Sequence, residues 1–239
     1  MNVIFKKMQN TKFSLFVLGC IILVFFGCSK DDKIDEIKEV DIQGVYNYSG
    51  QFIVGLTWLD ANGKNVLILS KSEKYLGEMA MNARKNHEFE IVNGDTSFYG
   101  IESEALDQEI FAYHYIKQGN GISLLWKMYD FEKDCVLNLI LEFLENPPLL
   151  TDLDNDNIME SWIIYKKACI SDVSPLDMKI IMHEGKKKYA VRGKNIVQVG
   201  VDSYHGGEKE FDDNFINGET RFVDYAENLW QEHKNNTRD

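Results

Sequence analysis

From residue 42 to residue 191, short runs of Val, Ile, Leu, Tyr, Phe and Trp are broken every few positions by Gly, Asn and Asp. That spacing is the mark of strands joined by turns. It predicts strands at 45–48, 51–60, 66–69, 89–92, 110–116, 122–129, 136–143, 162–165, 178–182 and 189–191. Asn62-Gly63, Gly119-Asn120-Gly121 and Glu184-Gly185-Lys186 supply hairpin turns between neighbours. Residues 71–86 are polar and lysine-rich without a sustained period, and read as a long surface excursion.

Helical spacing is concentrated at the C-terminus. Phe222, Tyr225, Ala226, Leu229, Trp230 and His233 recur at i, i+3 and i+4, behind caps at Asn217 and Thr220. An amphipathic helix of roughly 14 residues is expected, with its Phe222/Leu229/Trp230 stripe packed on a sheet. The fold class is therefore mainly β (α+β), built of antiparallel sheets of hairpins with a C-terminal amphipathic helix. A faint repeat adds to this. Residues 56–63 and 150–157 match at Leu, Thr, Leu and Asp, and each precedes a strand, which suggests two related β-units in tandem.

The N-terminus has a different pattern. Lys6, Lys7 and Lys12 precede an unbroken apolar stretch over 13–27, which ends at Gly27-Cys28 and turns abruptly to Ser29-Lys30-Asp31-Asp32. A basic region, an apolar region and a small residue before a cysteine make a secretory signal. As a helix the apolar stretch would cover roughly 22 Å, short of the roughly 30 Å hydrocarbon core of a membrane. The Phe25-Phe26-Gly27-Cys28 junction resembles the lipobox of bacterial lipoproteins, in the looser form of Bacteroidota. Cys28 is the expected lipidated, palmitate-bearing residue; cleavage before Cys20 would leave residues 21–26 as an exposed apolar tail.

This divides the chain into a signal peptide at 1–27, a lipidated Cys and acidic tether at 28–41, and a globular mostly-β domain at 42–239. Residues 29–41 are mostly charged and read as a solvated coil, holding the domain roughly 20 Å from the bilayer. The acids after Cys28 resemble the export signal of surface lipoproteins, with a plain soluble linker as the alternative. An outer-membrane lipoprotein on either the periplasmic or the surface face is expected.

Charge and cysteine count sharpen this picture. The formal net charge is −12, and since 1–27 contribute three lysines and no acid, the rest of the chain carries −15. Such a balance excludes nucleic acid as a partner. After removal of the signal, Cys135 and Cys169 are the cysteines left beside the anchor, and in an oxidising compartment an even pair reads as a disulfide.

One constellation carries chemistry. Asp152, Asp154, Asp156 and Glu160 occupy relative positions 1, 3, 5 and 9 of a turn, with the Ile158 carbonyl at position 7. A hard cation such as Ca²⁺ takes six to eight oxygens, and acids at alternate positions of a tight turn converge on one centre. Ile163 stands where an EF-hand needs its last acid, so the loop instead resembles the calcium turns of FG-GAP and related β-repeat proteins. Asn157 replaces their usual Gly, but Asn also tolerates the left-handed conformation.

Catalytic signatures are weak. The chain lacks Gly-x-Ser-x-Gly, a phosphate-binding loop, a dinucleotide fingerprint and His-Glu-x-x-His. His205 and Glu208, beside two glycines, are an acid/base candidate that more often reads as a polar turn. Trp126, Trp162 and Tyr165 offer an aromatic sugar platform that more often reads as core.

From 111 to the C-terminal helix, the chain resembles Bacteroidota lipoproteins described as surface polysaccharide biosynthesis proteins. The resemblance is carried by Ala112-Tyr113-His114-Tyr115, 126–131, Asp134-Cys135, 151–156, Tyr165-Lys166, Asp172-Val173-Ser174-Pro175, 177–182 and 189–193, with 56–60 upstream. It implies a role in making or displaying surface glycan and offers no catalytic residues to carry over; the leading expectation is a lipid-anchored envelope protein that assists surface polysaccharide biosynthesis or presentation without catalysing a reaction. A surface glycan or other envelope proteins are the implied partners, besides the membrane reached through the lipid. A secreted carbohydrate-active enzyme, or a glycan-binding module, is the alternative.

Overall fold

The computed structural model describes residues 33–86, 91–92, 95–96 and 104–235. The signal, Cys28 and residues 89–90 of one expected strand lie outside the described residues. In chain order the first elements are β1 (Asp35–Ile37), α1 (Glu39–Ile42), β2 (Gln51–Asp60), β3 (Gly63–Lys71), β4 (Tyr75–Leu76), α2 (Glu78–Asn86), β5 (Ile91–Val92) and β6 (Asp95–Thr96). Then come β7 (Leu106–Gln118), β8 (Gly121–Cys135), β9 (Asn138–Phe143), β10 (Leu149–Thr151), β11 (Glu160–Ile170), β12 (Asp177–Glu184) and β13 (Lys187–Lys194). The chain closes with β14 (Ile196–Gly200), β15 (Ser203–Gly206), β16 (Lys209–Phe211), α3 (Asp213–Ile216) and α4 (Thr220–His233).

The protein is mainly β, and two antiparallel six-stranded sheets fit the two β-units that the repeat suggested. The first runs β1-β2-β3-β7 with β4 and β8 also on β7; the second runs β10-β11-β12-β13-β16 with β9 also on β11. Each sheet has a buried cluster on both of its faces, although on the outer face of the first sheet the cover stops at β7. Leu56, Trp58, Leu67, Leu69, Ile110 and Met128 of the first meet Leu141, Ile163, Tyr165 and Ile181 of the second. Val66, Ile68, Phe111 and Tyr113 face the other way, under Ile42 of α1. Beyond the second sheet, Trp162, Ile180 and Met182 pack on Phe222, Leu229 and Trp230 of α4. Two-sided burial explains why Val66-Leu67-Ile68-Leu69 is continuously apolar rather than alternating.

The disulfide forms between Cys135 at the end of β8 and Cys169 in β11, so it ties one sheet to the other. α4 spans the expected 14 residues and buries the expected stripe.

Several expectations are corrected. Residues 35–41 are not the solvated coil expected of them: Asp35–Ile37 pair with 55–57 of β2, and Glu39–Ile42 form α1. Ile37 fits there because residue 55 is Gly; a Cβ at that position would lie 2.6 Å from the Ile37 side chain. Residues 45–48 form no strand, since β1 already occupies the edge of β2; Tyr46 instead sets its ring edge-on against Tyr115. The excursion at 71–86 contains β4 and α2, a helix with Glu78 in its first turn and Arg84 and Lys85 in its last, signs that suit the helix dipole. Asn217 and Thr220 do not cap α4: Glu219 holds the cap position without a side-chain bond, while Asp212 caps α3 by accepting from Phe215 N.

Candidate metal centre

The loop over 152–159 joins β10 to β11 and is closed by the Thr151–Glu160 ladder pair. Asn155 (φ 62°) and Asn157 (φ 64°) take the left-handed conformation that the Asn-for-Gly exchange required of position 157. Two local turns shape the rest: Asp156 N donates to Asp154 Oδ1 at 3.2 Å, and Ile158 N donates to Asp156 Oδ1 at 2.7 Å. Ile158 thus enters the loop through its backbone.

Two triads of carboxylates converge, each with ligand atoms within 4.8 Å of one another: Asp152, Asp154 and Asp156; and Asp154, Glu160 and Glu184. Asp154 belongs to both. Glu184 escaped the sequence reading because it lies at the end of β12, where register sets it opposite Glu160. Its signal was the hairpin turn at Glu184-Gly185-Lys186, recognised as a turn while its first residue was not recognised as a donor.

Glu160 is fully buried, and its carboxylate accepts from Thr151 Oγ1 at 2.5 Å and Leu153 N at 3.1 Å. Burial pushes Glu160 up to about 7; those hydrogen bonds act against the shift and the Asp154 charge adds to it. Asp156 and Glu184 are also raised, by burial first and with neighbouring acids adding to it. Asp152 Oδ1 is buried and accepts no hydrogen bond among the described residues. An orphaned carboxylate oxygen among mutually repelling acids is the donor set that a metal ion satisfies. The cluster can therefore hold one.

The two repeated turns meet. Ala61 N donates to Asn157 O at 2.8 Å, and Met159 N donates to Asp60 Oδ2 at 3.3 Å. Asp60 also accepts from Trp58 Nε1 at 2.9 Å and from Asn62 N at 2.8 Å. From the other side, Arg221 at the start of α4 donates to Leu153 O at 2.8 Å. The loop is thus held by both sheets and by a helix.

The catalytic candidates are not brought together. His205 is exposed on β15, whereas Glu208 opens onto a surface cleft lined also by Lys179, Arg192 and Lys209, of which His205 is no part. Trp126, Trp162 and Tyr165 are buried, with Trp126 stacked on His183 at 3.9 Å, so they form core rather than a platform. No family model, curated protein or solved structure matches the chain.

Proposed function

We propose that this chain is a lipid-anchored cell-envelope protein, acylated at Cys28 and held at the outer membrane, whose calcium-set β domain assists surface polysaccharide biosynthesis or presentation without catalysing a reaction. The observation that carries the reading is the place of the acidic cluster. It lies where the second sheet's loop, the first sheet's Asp60 turn and the start of α4 converge, with Glu160 fully buried. A cation there acts as a structural rivet, and an all-oxygen donor set suits a hard ion such as Ca²⁺.

Calcium is expected to raise the melting temperature. Saturation at about one hundred times Kd is worth about 2.7 kcal/mol, or roughly 5 to 10 °C for a chain of this size. Asp154→Ala combined with Asp156→Ala abolishes the gain; identical melting curves in calcium and in chelator would remove the metal from the reading.

The anchor and the role are tested together. Palmitate labelling is expected to disappear in Cys28→Ala and to persist in Cys20→Ala, and the surface glycan to change both in Cys28→Ala cells and in cells lacking the protein. Unchanged glycan in the deletion strain overturns the role; labelling that follows Cys20 overturns the anchor.

A further inference from the structure

The N-terminal segment covers the outer face of the first sheet only as far as β7; β8, whose strand partner is β7 alone, lies beyond it. On β8 the outward positions are Ile122, Leu124, Lys127, Tyr129, Phe131 and Lys133, after a register shift opposite His114 and Tyr115. Tyr129 and Phe131 are 44 % and 38 % exposed, too open for core aromatics. The Phe111 and Tyr129 rings stack at 5.4 Å, and Phe131 follows Tyr129 at 5.5 Å, giving a continuous row.

Ammonium groups lie over this row. Lys127 Nζ is 5.0 Å from the Phe111 ring centre, 5.1 Å from Tyr113 and 5.7 Å from Tyr129, and Lys133 Nζ is 4.8 Å from Phe131. Neither lysine pairs with a carboxylate among the described residues, although the chain carries a net charge of −12. Lys167, also over Phe131, is paired with Asp130 and Glu132. Glu109 also touches the row, and its carboxylate accepts from Tyr129 Oη at 2.6 Å.

We infer that this row binds an acidic saccharide. The inference names the ligand of the polysaccharide role proposed above and rests on that reading. Alternate residues of a strand lie about 6.6 Å apart on one face, so Lys127 to Lys133 is a flat track of about 20 Å, the shape of a short stretch of linear polymer. Aromatic faces take the C–H face of a pyranose, and free ammoniums take its carboxylates. The lysines also select the ligand. Each rests on a ring by cation–π attraction worth about 0.5–1 kcal/mol at an exposed site, which a carboxylate readily outbids. A uronate draws the ammonium off the ring and frees the face for its own sugar; a neutral sugar offers nothing to move it.

The test is native electrophoresis of the full chain in detergent, through gels containing polygalacturonate or dextran. Polygalacturonate is expected to retard the wild type and dextran to leave it unaffected. Lys127→Ala and Tyr129→Ala should each weaken retention about tenfold, while Tyr129→Phe, which keeps the ring, binds as wild type. Equal retention by both polymers, no retention of the wild type, or retention unchanged in Lys127→Ala/Tyr129→Ala overturns the inference. So does binding to anionic vesicles without binding to polygalacturonate. The assay requires neither acylation nor export. A wild type that fails it while the deletion strain still alters its glycan therefore loses this site and keeps the proposed role; one that passes while the glycan is unchanged keeps the site and loses the role.

Discussion

Replacing Cys135 and Cys169 by alanine is expected to lower the unfolding free energy by about 3 to 4 kcal/mol, the chain-entropy value for a loop of this length. The bridge closes 34 residues, and that loop contains β9, β10, the acidic loop and most of β11. In the folded state Cys135 is 1 % exposed inside the cluster between the sheets, so alanine keeps the site apolar. For a protein of this size the melting temperature should fall by roughly 10 °C. Urea unfolding of the double variant, and of the wild type under reductant, should give the same displaced midpoint. A displacement of less than about 1 kcal/mol would mean that packing holds the two sheets without the bridge.

The second large effect is on acid stability. His114 is 3 % exposed, and its Nε2 lies 2.9 Å from Asn65 Oδ1, whose own amide nitrogen donates to Gly63 O at 3.0 Å. That arrangement assigns the ring proton to Nε2 and leaves Nδ1 bare. His183 lies flat on Trp126, and the Nδ1 of each histidine is buried with no partner among the described residues. A second proton on either ring would have nowhere to donate. Burial accordingly pulls His114 down to about 4, against an opposing pull from Asp60, and His183 down to about 3, with Lys188 and His114 adding to the fall.

Both folded pKa values lie below the unfolded value of about 6.5, so the stabilisation is complete above pH 6.5 and is lost as pH falls toward 4 and then 3. The loss is on the order of 3 kcal/mol for His114 alone. Without a cation Glu160, raised to about 7, works in the opposite sense: its contribution is full at low pH and lost as pH rises through 7. Comparison with a variant separates the two. His183→Phe preserves the stack on Trp126 and should flatten the fall in urea midpoint between pH 7 and pH 4.5; an unaltered slope would show that protonation of His183 does not govern it.

Much of this architecture was legible from residues alone, because its signals are local. Asn62-Gly63 and Gly185 mark hairpins that form, the spacing of Phe222, Leu229 and Trp230 marks the stripe that α4 buries, and the alternate acids of 152–160 mark the loop. What was illegible depends on pairing. Asp35 and Glu36 are as charged as a solvated tether, and only the open edge of β2 makes a strand of them. Glu184 is one acid among 38 until the register of β12 places it across from Glu160. In α2 the fully buried Ala80 is too small to register as an apolar stripe. The β14–β15 hairpin lacks the alternation of a core strand: Val197 is buried, but Val199, Val201 and Tyr204 are exposed.

The meeting of the two repeated turns shows how one motif can be completed in two ways. Aligned on the repeat, Asp60 corresponds to Asp154, and Trp58 stands where the later copy has Asp152. In the earlier copy the indole N–H of Trp58 donates to the aspartate two residues on, so one carboxylate oxygen has a hydrogen-bond donor built into the same strand. In the later copy that position is a carboxylate with a buried oxygen and no donor. One turn carries its own donor, and the other leaves an oxygen open to a cation. The first turn holds the backbone of the second through Ala61 and Met159, so the acidic loop is placed beside its sibling by bonds that need no cation.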